Sequence, residues 1–206
     1  MRRNQVFVCA LLLVAAVLAV GCAKPPQQEI DSAKAALTAA EQAEAPKYAA
    51  DAWDKAQQAM NAVNAELEAQ QAKFALFRSY TKAKQLIADA QNAANAAKDA
   101  GIAGKEKAKN DAKAAIDAAK AALANANTLF ADVNKCKRAL HAKEVKKDLT
   151  TVKGNLDGYA TQVNDLDAKF AKEDFFGAKS AADTLKGQID PVANDLNGIK
   201  TKFKCK

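Results

Sequence analysis

Glycine and proline are scarce in this chain, which has only eight glycines and four prolines among 206 residues. It also lacks alternating stretches rich in Val, Ile and Thr, and no Asn-Gly turn stands between two such stretches. These absences exclude sheet architectures. Alanine, lysine, glutamine and the acidic residues are abundant instead, and this composition favours helices. The sequence therefore predicts an all-α fold, an elongated antiparallel bundle of coiled-coil hairpins.

The motifs that carry common enzyme chemistry are also missing. The chain has one histidine, His141, and it lacks a phosphate-binding loop, an HExxH helix, a nucleophile elbow and paired catalytic carboxylates. His141 and Cys136 supply too few ligands for a metal, so we expect a capping or surface role for His141. Trp53 and the other aromatic residues at helical spacing are interpreted as core. We expect a non-catalytic protein with no cofactor and no metal.

No hydrophobic run reaches the length of about 20 residues that a membrane-spanning helix needs. The longest run, Val6–Val20, has 15 residues and follows Arg2 and Arg3. A short apolar run behind basic residues is typical of a secretory signal peptide. One interpretation is that the signal peptide is removed by a cut directly before Cys22. Two others remain open: an ordinary signal peptide, or an uncleaved anchor, in either of which the cysteine would be a coincidence.

The stretch Leu18-Ala19-Val20-Gly21-Cys22 resembles the lipobox of bacterial lipoproteins, in which small residues precede a cysteine. The resemblance implies that residues 1–21 are a signal peptide and that Cys22 becomes an acylated first residue, carrying palmitate-type chains. Ala19 stands where the family most often has leucine.

Ala23 follows the cysteine, where an aspartate tends to retain Gram-negative lipoproteins in the inner membrane. The resemblance therefore favours an outer-membrane anchor facing the periplasm. Residues 22–28 would form the acylated start and a short extended spacer. Two or more acyl chains hold a protein firmly on a bilayer, whereas one binds only marginally.

The charge balance is basic. Without Arg2 and Arg3 the chain has 29 basic and 24 acidic residues, a net charge of +5. Such a balance suits anionic lipid, lipopolysaccharide phosphates or peptidoglycan, and an exported protein is not expected to bind nucleic acid. The charges are interspersed along the helices, so a solvated helix face is the other interpretation.

Two heptad seams occupy the second half. Apolar residues recur at alternating steps of three and four from Val145 to Phe170 and again from Phe175 to Phe203. The short polar link between them predicts an antiparallel hairpin. The second hairpin and the basic tail are assigned to residues 141–206.

A similar pair of heptad seams precedes the second hairpin in the sequence. A seam from Ala49 to Phe74 lies 96 positions before the first of these seams, and Tyr80–Ala97 lies 95 positions before the second. The spacing predicts an internal duplication of the hairpin, within residues 29–100. Gly101-Ile102-Ala103-Gly104 is expected to break the helix before a long connecting helix in residues 101–140. The predicted helices are 29–44, 46–73, 76–99, 104–140, 142–171 and 174–204.

The sequence of the first hairpin also resembles a domain of known lipoproteins. Residues 30–98, with AAEQAEAPKYAADAWDKAQQAM and SYTKAKQLIADAQNAA, resemble the alanine-rich helical domain of unknown function found in Gram-negative lipoproteins. This resemblance implies an envelope lipoprotein and gives no activity.

Cys136 and Cys205 are the only cysteines after Cys22. If the last three long helices alternate in direction, both cysteines fall at the same end of the bundle. Because the periplasm is oxidising, we predict a disulfide between them. One buried thiol and one exposed thiol are the alternative.

The chain ends in Thr-Lys-Phe-Lys-Cys-Lys, which resembles the tail of the major murein lipoprotein, whose terminal lysine is joined to peptidoglycan. The resemblance makes Lys206 a candidate attachment site, although Cys205 departs from the pattern and a disulfide there would restrict Lys206. The expected function is a structural or adaptor bundle anchored to the outer membrane, with peptidoglycan or another envelope protein as partner. The alternative is a spacer linked to peptidoglycan.

Overall fold

The computed structural model describes residues 23–205. Over this range the chain forms α-helices joined by short turns and contains no strand, which confirms the all-α helical bundle. The helices are α1 (Gln27–Gln42), α2 (Ala45–Tyr48), α3 (Ala50–Gln71), α4 (Thr81–Lys135), α5 (Lys137–Leu140), α6 (Lys143–Ala171) and α7 (Phe175–Lys202). A 3-10 turn, Ala75–Phe77, lies between α3 and α4.

The chain divides into two compact units at Gly104. The N-terminal unit contains α1, α2, α3 and the first part of α4. The C-terminal unit begins at Lys105 and contains the rest of α4 together with α5, α6 and α7. The boundary therefore lies inside a helix and not in a linker.

In the N-terminal unit, α3 packs antiparallel to both α1 and α4. Near the start of α1, Ile30 packs with Met60, Val63 and Ile87. At the other end, alanines of α1, α2, α3 and α4 pack closely together around Ala45. Alanine contributes little buried area, so the aliphatic cluster near Ile30 supplies much of the apolar stabilisation of this unit.

The predicted helix break at Gly101–Gly104 is wrong, because α4 runs through it without interruption. Gly101 instead allows close approach of the α1–α2 turn, and Gly104 allows close approach of the end of α2. A Cβ on Gly101 would lie 2.8 Å from the carbonyl oxygen of Ala43, and one on Gly104 would overlap the carbonyl oxygen of Tyr48. A helical glycine costs only about 1 kcal/mol relative to alanine, which this close packing outweighs.

The predicted helix 46–73 is also divided. Its first turn is the separate helix α2, which has Pro46 near its start. Ala49 then leaves the helical conformation, with φ of −148°, before α3 begins. At the other end α3 stops at Gln71, so the seam predicted to run to Phe74 ends earlier.

The C-terminal unit is organised around the predicted hairpin of α6 and α7. Buried leucines on α6 face buried residues of α7 such as Leu185 and Ile189. Residues 172–174 link the helices, and the Asp174 side chain accepts a hydrogen bond of 3.1 Å from the Gly177 amide at the start of α7. Such an N-cap stabilises the beginning of a helix.

Ion pairs join α4 to both helices of this hairpin. Lys120 pairs with Asp167 of α6 at 2.8 Å, and Asp132 pairs with Lys200 of α7 at 2.5 Å.

The predicted helix 104–140 is wrong at its end, because α4 stops at Lys135. Cys136 adopts an extended conformation before the single turn of α5, which redirects the chain into α6.

Each unit has the same order of elements: a long helix, a one-turn helix and two further long helices. Ala83 and Ala178, which the duplication pairs, are both buried. The duplication stays a prediction. The units differ at the hairpin connection, which has nine residues (72–80) in the first and three (172–174) in the second.

Candidate functional site

The predicted acylation site, Cys22, lies outside the described residues, but the segment that leads from it to α1 is described. Pro26 is buried, and its carbonyl accepts a hydrogen bond of 3.1 Å from the Ile30 amide. Helix α1 begins at Gln27, two residues before the predicted start, so the spacer predicted at 22–28 is shorter. Residues 23–26 cover at most about 14 Å when extended.

The loop between α3 and α4, residues 72–80, lies at the same end of the N-terminal unit as the start of α1. Lys84, in the first turn of α4, pairs with Glu29 in the first turn of α1 at 3.7 Å. Lys82 pairs with Glu66, near the end of α3, at 2.8 Å. These contacts hold the beginnings of α1 and α4 and the end of α3 together, and the α3–α4 loop extends from this end.

The tip of the α3–α4 loop exposes large apolar side chains. Phe74, Leu76 and Phe77 are 69%, 65% and 75% exposed. The interpretation of Phe74 as a core residue is therefore wrong, and the reason is that α3 ends at Gln71. The rings of Phe74 and Phe77 lie 6.4 Å apart between centroids, and these two residues, with Leu76 between them in the sequence, make up the exposed apolar patch.

Polar contacts fix the backbone on both sides of this patch. The Arg78 guanidinium donates hydrogen bonds to the carbonyl oxygens of Lys73, at 3.0 Å, and Gln71, at 2.9 Å. The Ser79 amide donates to the side-chain oxygen of Gln70 at 3.1 Å. The loop therefore closes on itself and presents its apolar tip in a defined conformation.

The buried carboxylate of Glu66 links the end of α3 to the start of α4, next to the loop. Glu66 is 8% exposed and accepts hydrogen bonds from Lys82, at 2.8 Å, and from Gln70, at 2.7 Å. The hydrogen bond from Lys82, followed by that from Gln70, lowers the pKa of Glu66 below its ordinary value of 4.5. The charged form of Glu66 is thus the one that the folded protein favours.

The lowered pKa of Glu66 makes the stability of the protein near the α3–α4 loop depend on pH. Because the pKa of Glu66 is lower in the folded state than in the unfolded chain, its contribution is present above pH 4.5 and is lost as pH falls through the lowered folded pKa. Glu66→Gln should therefore make α3 unfold with a weaker dependence on acid, as measured by amide exchange. Glu68→Gln, which removes a charge from an exposed position on α3, is the control. Equal acid dependence in the two variants would contradict the prediction.

At the C-terminal end, Cys136 and Cys205 form a disulfide, with their Cα atoms 5.4 Å apart. Both half-cystines lie against the cluster formed by Val133, Val145 and Leu196. The bond joins the end of α4 to the chain just after α7, and both cysteines lie at the same end of the unit, as the alternating helix directions predict.

The remaining candidate residues are placed as follows. Lys206, the predicted peptidoglycan attachment site, lies outside the described residues. His141 is exposed at the end of α5. Within residues 23–205 no group of three or more His, Cys, Asp or Glu side chains is arranged to hold a metal ion. Over the same range, no helix has both the length and the apolar character needed to cross a bilayer.

The chain matches no protein-family model, no curated protein and no solved structure in the comparisons made.

Proposed function

We propose that this protein is a non-catalytic lipoprotein, anchored to the outer membrane through acylated Cys22, whose periplasmic helical bundle acts as a structural or adaptor element of the cell envelope. The partner would be another envelope protein or peptidoglycan. The observation that carries the proposal is the sequence LAVGC at 18–22, directly behind a basic start and a short apolar run.

The start of the bundle suits a short tether. Only residues 23–26 separate Cys22 from α1, and the last of them, Pro26, is the buried N-cap residue of that helix. An acylated Cys22 would therefore hold the N-terminal unit close to the membrane surface. An anchor with several acyl chains is effectively permanent, because each buried methylene contributes about 0.8 kcal/mol.

Cys22→Ser tests the anchor. Expressed in a Gram-negative host supplied with labelled palmitate, the wild-type chain should incorporate label and fractionate with the outer membrane. The Cys22→Ser variant should incorporate none, because it lacks the thiol that is acylated. Cys9→Ser, which removes the cysteine inside the apolar run, is the matched control and should keep the label. Equal labelling of the Cys22→Ser variant would refute the proposal.

The alternative is a spacer joined to peptidoglycan through Lys206, for which the tail sequence is the support. Cys205 is held by its disulfide to Cys136 and stands next to Lys206, which limits the reach of a linkage there. Lysozyme digestion of purified sacculi distinguishes the two functions. A muropeptide bound to the C-terminal peptide would establish the spacer, and its absence would eliminate it.

A further inference from the structure

We propose that the tip of the α3–α4 loop, Phe74, Leu76 and Phe77, inserts into the surface of a phospholipid bilayer beside the anchored amino terminus. This inference rests on the proposed anchor at Cys22 and adds a second, non-covalent membrane contact. The occupant of the exposed apolar patch is thus the lipid itself, and not a partner protein or a second copy of the chain.

The position of the loop is the first argument. The Lys84–Glu29 and Lys82–Glu66 pairs place the loop at the end of the N-terminal unit where α1 begins. The short segment 23–26 connects that same end to Cys22. A bilayer that holds the acyl chains of Cys22 therefore lies on the side of the unit from which the loop tip extends.

The chemistry of the loop is the second argument. Its tip exposes two phenylalanines and a leucine, each at least 65% exposed. Residues 72–84 contain four basic residues and no acidic residue; Lys82 and Lys84 pair with Glu66 and Glu29 of neighbouring helices, whereas Lys73 and Arg78 directly border the tip. Aromatic and aliphatic side chains bordered by lysine and arginine match a membrane interface, where the apolar groups enter the acyl region and the cations meet anionic headgroups.

The defined shape of the loop is the third argument. Arg78 closes it through the carbonyl oxygens of Lys73 and Gln71, and Ser79 is held by Gln70. A preformed tip loses little conformational freedom on insertion. The equivalent connection in the C-terminal unit, Lys172-Glu173-Asp174, is shorter and polar, and one exposed large apolar side chain, Phe176, lies close to it, whereas three are exposed at the α3–α4 tip.

Quenching by brominated lipid tests the insertion in the full chain. The protein is produced from its complete gene, extracted from membranes and reconstituted into vesicles of phosphatidylethanolamine and phosphatidylglycerol, with or without bromine on the acyl chains. Phe77→Trp, with Trp53→Phe in the background, places an indole at the loop tip. The control is Ile102→Trp in the same background. Ile102 is 54% exposed and adjoins Gly101, which packs on the α1–α2 turn at the opposite end of the unit.

Flotation of the vesicles reports the anchor, and fluorescence reports the loop. We expect both variants to float, and only the indole at position 77 to be quenched by bromine and shifted to shorter wavelength. If both float and neither is quenched, or both are quenched alike, insertion of the loop is refuted while the anchor stands. A blue-shifted indole at position 77 without bromine quenching would show that protein covers the loop, which also refutes insertion. If neither variant floats, the anchor and the insertion are both refuted.

Discussion

Replacing Cys136 and Cys205 together by serine is expected to lower the free energy of unfolding of the C-terminal unit by about 4 kcal/mol in the chain-entropy model. The two cysteines are 69 positions apart, so the disulfide closes a loop that includes α5, α6 and α7. Without it the unfolded chain gains the freedom of that whole loop. A loss of this size is a large share of the 5–15 kcal/mol or so that stabilises typical proteins.

Amide hydrogen exchange of the full chain measures this effect helix by helix. Protection of α6 and α7 should fall in the double variant, whereas that of α1 and α3 in the N-terminal unit should not change. A reductant should produce the same loss in the wild-type protein and no further loss in the double variant. Unchanged protection of α6 and α7 would contradict a stabilising role for the disulfide.

Gly104→Ala is expected to destabilise the N-terminal unit by about 2 kcal/mol, within the range for overpacked sites. Helix propensity alone predicts the opposite sign, a gain of about 1 kcal/mol when alanine replaces a helical glycine. The added methyl group would overlap the Tyr48 carbonyl oxygen and would also lie 3.1 Å from the Tyr48 Cβ. Since the first of these atoms belongs to the backbone, a rotamer change cannot remove the clash.

Gly158→Ala is the matched control, because Gly158 is also helical but a Cβ there has no atom within 4 Å. This substitution should stabilise α6 by about 0.5–1 kcal/mol. Amide exchange of α1 and α3 in the first variant, and of α6 in the second, should therefore change in opposite directions. A gain in stability from both substitutions would show that Gly104 is not a packing residue.

The hairpin of α6 and α7 could be predicted from the sequence because large apolar residues such as Leu156 and Leu185 repeat at steps of three and four. The course of α4 could not. Glycine is a weak helix breaker, and whether α4 continues through Gly101 and Gly104 depends on how closely the α1–α2 turn and the end of α2 approach them. That close approach is set by the packing of the folded unit and cannot be seen in the sequence pattern.

The exposed tip of the α3–α4 loop was missed in the sequence for a different reason. Phe74 continues the spacing of the α3 seam, and Ala-Lys-Phe recurs at 168–170, so the pattern indicated a core residue. The signal that could have located the exposed tip lies in the neighbouring residues. Large apolar residues at 74, 76 and 77 do not keep to one helix face, and the following residues up to Lys84 include no acid. The disulfide, in contrast, could be predicted from the alternating helix directions together with the oxidising periplasm expected for this chain.

Mass spectrometry of the N-terminal peptide shows directly whether Cys22 is the acylated first residue of the mature protein. The protein is extracted from membranes of a Gram-negative host, without chemical cleavage of its lipids. We predict a mature chain that begins at Cys22 and carries a diacylglyceryl group on the thiol and a fatty acyl group on the amine. An unmodified Cys22, or a peptide that still contains residues 18–21 joined to it, would contradict the proposed lipid anchor.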